Sequence, residues 1–182
     1  MQRTKLSIQD MVTVGLCTAI IAILAQIVIP LPSGVPMTMQ SFAITLVAMI
    51  LGAKKGALAA LLYVLTGAVG LPVFTGFRGG LQCLLDPTGG FLLTFPLMAY
   101  FIGLGTDKKH RSPFLFYLFL TLGTILNYVG GLLIFCFSTN STLAAGFVAA
   151  VAPFIPTAII KAILAVWAGK ILRKRLNSVL TV

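Results

Sequence analysis

Apolar positions run together along this chain for many residues at a stretch, divided by short basic, proline-rich or glycine-rich breaks. The first run predicts a helix from about Ser7 to Ile29, stopped by Pro30 and Pro32, since each proline removes an amide donor and restricts the residue before it. Leu31 to Met39 is then a loop. A short helix from about Gln40 to Ala53 ends at Lys54, Lys55 and Gly56, and a third, about Ala57 to Val69, follows with almost no connection. Both are short enough to be tilted or packed against neighbours instead of lipid. Pro72, Gly76, Gly79, Gly80 and Pro87 forbid a regular spanning helix between Gly70 and Pro87, so that segment is an ordered or re-entrant loop. Helix four covers about Thr88 to Leu104, and the polar run Thr106 to Ser112 separates it from helix five, Pro113 to about Phe137. Ser138 to Thr142 makes a turn in which Ser141 or Thr142 is placed to cap the next helix. Helix six begins near Leu143, is interrupted by Pro153 and Pro156, and resumes to about Leu172.

Composition decides the solvent of these helices. The 182 residues are 59% apolar and only 9% charged, too little charge to cover a water-soluble globule. A bilayer core of roughly 30 Å takes about 20 apolar residues per helix, which leaves room for about six crossings. The expected fold is therefore all-α, a polytopic membrane protein forming one transmembrane helical domain over residues 1–182, with no space for a catalytic or ATP-binding domain. Met11 to Ile29 is longer than a signal-peptide core and lacks a clear cleavage site, so it is read as a retained helix. The net charge of +10 does not point to nucleic acid, because the Lys and Arg residues fall in clusters between apolar segments. Topology explains them. With both termini in the cytoplasm, six crossings place Arg3, Lys5, Lys54, Lys55, Lys108, Lys109, Arg111, Lys170, Arg173, Lys174 and Arg175 inside.

Arg78 and Lys161 remain unexplained by topology. Lys161 lies twelve residues before Arg173, roughly 18 Å along a helix from the inner surface, too far to snorkel comfortably. Such a lysine faces a cavity or a partner. Arg78 sits among Gly76, Gly79 and Gly80, where missing side chains let a ligand approach, and Arg with Lys suits a carboxylate or phosphate. The blander readings are a carbonyl-bonded lysine and a solvated loop arginine. Asp86, just before Pro87-Thr88-Gly89-Gly90, is placed either to cap helix four or to face a pocket. Gln40, Gln82, Asn127 and Tyr128 add neutral hydrogen-bonding groups to a candidate binding site, although an amide in a bundle can equally bond a neighbouring helix. On helix one, Gly15 with Ala19 and Thr18 with Ala22 put small residues four apart, a spacing that admits another helix. Catalysis is not expected. His110 is the single histidine, no acids are paired, and Cys17, Cys83 and Cys136 are isolated among apolar residues, so no enzyme, metal site or cofactor is read here. Without a phosphate-binding G-x-x-x-x-G-K-[ST] run, active transport would draw its energy from a partner.

Gly70-Leu71-Pro72-Val73-Phe74, Arg78-Gly79-Gly80 and Pro87-Thr88-Gly89-Gly90-Phe91 resemble the biotin-transporter S-component family, BioY. Ile29-Pro30-Leu31-Pro32 to Gln40, and Pro153-Phe154-Ile155-Pro156 to Lys161, are similar to it as well, so the likeness runs in order through most of the chain. The resemblance implies a six-helix vitamin-binding subunit in a bacterial cell membrane, working with a transmembrane coupling subunit and two cytoplasmic ATPases of an energy-coupling factor (ECF) transporter. It implies that Arg78 and Lys161 belong to the biotin site, and that the small face of helix one, Gly15, Thr18, Ala19 and Ala22, meets the coupling subunit. Two positions depart from the family pattern. Ala158 stands in register with an aspartate three residues before the lysine, and Asp86 stands where the family typically has glycine. Asp86 is thus a candidate replacement for the missing acid, or a sign of a different small carboxylate-bearing vitamin. A passive channel or structural protein is the remaining class, and it would require a continuous polar stripe that the helices lack.

Overall fold

The computed structural model describes residues 7–29, 35–106 and 112–180. Arg3, Lys5, Pro30, Pro32, Lys108, Lys109, His110 and Arg111 lie outside the described residues. The order is α1 (Ile8–Leu24), β1 (Val28–Ile29), β2 (Met37–Thr38), α2 (Gln40–Ala68), α3 (Gln82–Leu85), α4 (Gly89–Leu104), α5 (Pro113–Thr139), α6 (Leu143–Ala150), a 3-10 turn (Ala152–Phe154) and α7 (Ile155–Leu180).

α1 starts with a reciprocal cap in which the Ser7 hydroxyl accepts from the Asp10 amide and the Asp10 carboxylate accepts from the Ser7 amide. It ends at Leu24, five residues before the expected Ile29. The physical reason is the pairing of Val28 with Thr38 and Ile29 with Met37, an antiparallel ladder that draws the β-branched Val28, Ile29 and Thr38 into extended backbone. A hairpin therefore stands where a helix end and a loop were expected.

α2 consists of two helical arms that meet at a sharp break. Gly52 has φ 77° and ψ −175°, a conformation open essentially to glycine alone. Residues 23 apart on a straight helix would be separated by about 35 Å, yet the Gln40 side-chain amide donates to the Tyr63 hydroxyl at 2.7 Å. The two arms fold back on each other. The expected second and third helices are these arms, with the reversal at Gly52 and with Lys54 and Lys55 in the second arm.

This folded pair is the centre of the bundle, with α1, α4 and α7 packed around it, while α5 packs on α4 and α6. Burial follows the same order: the most apolar stretch of α2 is 61% buried inside the protein, against 28% for α5 and 22% for the α6–α7 segment. α5 and α7 thus turn apolar faces outward, as lipid-facing helices do. Tyr63, Ile21, Ile44 and Ile102 are completely enclosed between the layers. Thr142 caps α6 by accepting from the Ala145 amide, and Asn140 ends α5 in a left-handed conformation. The start of α1 and the later part of α7 share one end of the bundle: the Lys55 ammonium pairs with Asp10, and the Arg173 guanidinium donates to the Met49 carbonyl at 3.2 Å. The protein is a multi-pass membrane protein, and the folded α2 gives it about six crossings.

Candidate functional site

The loop between α2 and α4 is ordered because it is sewn to the helices. Phe74 and Arg78 exchange backbone hydrogen bonds of 2.9 and 3.3 Å, so the chain turns back sharply over Thr75 to Phe77. Phe77 carries an unusual positive φ of 56°. Gln26, just past the end of α1, holds this turn: its carbonyl oxygen accepts from the Phe77 amide, and its NH2 donates to the Val73 and Phe74 carbonyls. The Phe74 ring packs edge-on to Tyr63. At the other end of the loop, glycines permit close approach. A Cβ on Gly89 would lie 1.9 Å from the Leu84 carbonyl, and one on Gly90 would lie 2.3 Å from the Gly130 carbonyl. The Pro-Thr-Gly-Gly run is thus the seat of α4 against α3 and α5.

Under this loop is a cavity of about 400 Å³. Of the residues expected to bind a ligand, Arg78, Lys161, Asp86, Gln40, Asn127 and Tyr128 all line it. Gln82 does not: its amide donates to the Gly79 carbonyl at 2.7 Å and serves the loop itself. Asp86 is not the cap of α4, whose N-cap is Thr88 with no side-chain bond. Instead the Asp86 carboxylate receives the Arg78 guanidinium in a partly exposed ion pair. This bond raises the Arg78 pKa above its already high ordinary value, so the guanidinium stays charged.

Lys161 reaches across from α7 to the hairpin, its ammonium donating to the Thr38 carbonyl at 2.7 Å. Among the described residues it has no ion-pair partner. Thr38 in turn donates through its hydroxyl to the Gln40 carbonyl oxygen at 2.9 Å, and Thr75 donates to the same oxygen at 3.1 Å. With its NH2 on Tyr63, Gln40 has most of its hydrogen-bonding capacity committed to tying hairpin, loop and α2 together. Asn127 is different. Both of its N–H groups are donated inside the bundle, to the Phe91 carbonyl and the Thr94 hydroxyl at 2.9 Å each, which leaves its carbonyl oxygen as an acceptor. Tyr128 donates to the Phe154 carbonyl at 3.5 Å and stands edge-on to Phe91.

Three charged side chains line the cavity, Arg78, Lys161 and Asp86. Two cations and one anion leave one positive charge uncompensated. Ala158 lines the same wall, one helical turn before Lys161. The apolar remainder includes Phe91, Phe95 and Met98. An apolar body with one anionic end fits such a chamber.

Sequence reasoning missed Gln26, Thr38, Thr75 and Tyr63. Gln26 was detectable as the lone amide late in an apolar run. The carbonyl of Thr38 was not, because backbone atoms leave no mark in a sequence. The small residues of α1 divide between two faces. Gly15 and Ala19 are exposed, whereas the Thr18 hydroxyl donates to the Ala59 carbonyl at 3.1 Å and Ala22 packs on the core.

The sequence profile of the BioY family matches residues 1–178. The chain belongs to the BioY family. The biotin transporter BioY2 of Lactococcus lactis subsp. cremoris is 37% identical over 177 residues, 97% of this chain and 96% of the relative. The biotin transporter BioY of Thermotoga maritima is 50% identical over 101 residues, 56% of this chain and 59% of that protein. The crystal structure of the S-component for biotin from an ECF-type ABC transporter superposes with a TM-score of 0.82 at 29% identity, covering 92% of each chain.

Proposed function

We propose that this chain is the substrate-binding S-component of an ECF transporter and that it binds biotin in the cavity under the 70–87 loop. Lys161 carries the reading: a cation on the cavity wall, bonded to a carbonyl and paired with no acid among the described residues, calls for an anionic ligand. A biotin carboxylate meets that need. Its ureido N–H groups require acceptors, and the cavity offers the Asn127 carbonyl and the Asp86 carboxylate. Arg78, at the loop, adds a second cation on the ligand's path.

The chain works in the cell membrane of a bacterium with both termini cytoplasmic. Lys54, Lys55, Lys170 and Arg173 belong to the end of the bundle that holds the start of α1 and the later part of α7, as the excess of Lys and Arg in cytoplasmic segments requires. The cavity then opens outward. Uptake is powered by a transmembrane coupling subunit and two ATPases, with α1 docking on the coupling subunit through Gly15 and Ala19.

Equilibrium binding of labelled biotin to the purified protein tests the reading. Saturable binding is expected, and Lys161→Met weakens it on the order of 10- to 100-fold through loss of a charged hydrogen bond. No binding of biotin at micromolar concentration, with displacement of some other labelled vitamin, would assign the cavity to that vitamin instead. The position of Ala158 beside Lys161 favours keeping this second reading in the experiment.

A further inference from the structure

α5 and α7 stand side by side without close packing, since α5 lies chiefly on α4 and α6 and α7 chiefly on α2. The seam between them is an open apolar groove of about 780 Å³, separate from the loop-covered cavity. At the end that holds the start of α1 and the later part of α7, Trp167 and Lys170 of α7 face Tyr117 of α5 across it. Lys170 is exposed, and among the described residues no acid pairs with it. Further along, the walls are large branched or aromatic side chains, among them Leu132, Phe147 and Ile163.

We infer that this groove binds an anionic phospholipid, its acyl chain lying in the seam and its headgroup phosphate on Lys170. A groove facing hydrocarbon is filled by whatever apolar chain is at hand. A partner helix would need small residues for close approach, whereas Thr124, Ala158 and Ala162 belong to the wall shared with the ligand cavity and most of the remaining lining is bulky. Tyr117 and Trp167 are amphipathic rings of the kind that settle at headgroup level. Lys170 beside them supplies the cation that selects an anionic head over a zwitterionic one. The site is coupled to ligand binding by construction: Thr124, Tyr128, Ala158 and Ala162 line both the groove and the ligand cavity. An acyl chain in the seam therefore backs the wall that carries Lys161. This inference rests on the membrane-embedded fold and holds whatever vitamin the cavity takes.

Trp167 is the single tryptophan of the chain and lines this groove, so its fluorescence reports on the lipid there. The full chain is reconstituted in vesicles of phosphatidylcholine containing increasing fractions of phosphatidylglycerol brominated near the headgroup, and in the converse mixtures with brominated phosphatidylcholine. Quenching by the brominated anionic lipid is expected to reach half its maximum at a several-fold lower mole fraction. Lys170→Gln abolishes that preference, and Lys174→Gln, outside the groove, keeps it. Ile163→Phe, which fills the seam, reduces quenching by both lipids. Identical curves for the two lipids in the unmodified protein would overturn the inference. So would a preference that survives Lys170→Gln, or one that Lys174→Gln removes equally, since diffuse surface charge would then be its source.

Discussion

Asp86 shows how far one side chain can be read before its neighbours are known. Its position ahead of Thr88 suits a helix cap, yet Thr88 takes the cap position and the carboxylate turns to Arg78. An ion pair this exposed contributes about 0–1 kcal/mol to stability. Its consequence is geometric: it holds the guanidinium at the cavity and keeps an acceptor there. Asp86→Asn is therefore expected to lower the melting temperature by no more than a degree or two while weakening biotin binding several-fold, as read by thermal unfolding and equilibrium binding side by side. Ala158→Asp is the matching gain: a carboxylate one turn before Lys161 pairs with the ammonium and offers the ligand acceptors. Unchanged affinity in both variants would leave Lys161, Arg78 and Asn127 as the binding groups and reduce Asp86 to a loop tether.

At the scale of elements, the folded α2 is the feature on which the site depends, because it brings Gln40 and Tyr63 together beneath the loop. Its reversal requires Gly52, whose backbone conformation costs another residue on the order of 1–3 kcal/mol. The turn is also crowded: a Cβ on Gly103 of α4 would lie 2.4 Å from the Ala53 backbone. Gly52→Ala and Gly103→Ala are each expected to lower the melting temperature of the purified protein by several degrees. Gly15→Ala is the control, since no atom lies within 4 Å of a Cβ placed there. A melting temperature unmoved by Gly52→Ala would show that the two arms of α2 do not meet in this way.

For the whole molecule, the two-faced character of α1 separates assembly from folding. Ala19 is exposed and Ala22 faces the core. Ala19→Leu is expected to weaken complex formation with the coupling subunit and biotin uptake in cells, with ligand binding by the isolated subunit unchanged. Ala22→Leu overpacks a partly buried contact with the core and is expected to lower stability by about 1–3 kcal/mol. Equal loss of ligand binding in both variants would make the entire small-residue stripe internal packing.

Hydropathy by itself determined that the chain lives in lipid, crosses it about six times, and carries two cations, Arg78 and Lys161, that membrane topology does not use. It could do so because transfer of a span into the bilayer is a sum over local residues, and a misplaced charge stands out in that sum. The Pro and Gly spacing of residues 70–90 marked the ordered loop for the same local reason. Which polar groups meet was decided only in three dimensions. Lys161 finds the Thr38 carbonyl 123 residues away, and Gln40 finds Tyr63 across the reversal at Gly52. Gln82 has the same chemistry as Gln40, yet its amide turns back to Gly79 in its own loop, while Gln40 lines the cavity. Residue type and spacing cannot separate the two, because the orientation of an amide follows from the packing of helices that are distant in sequence.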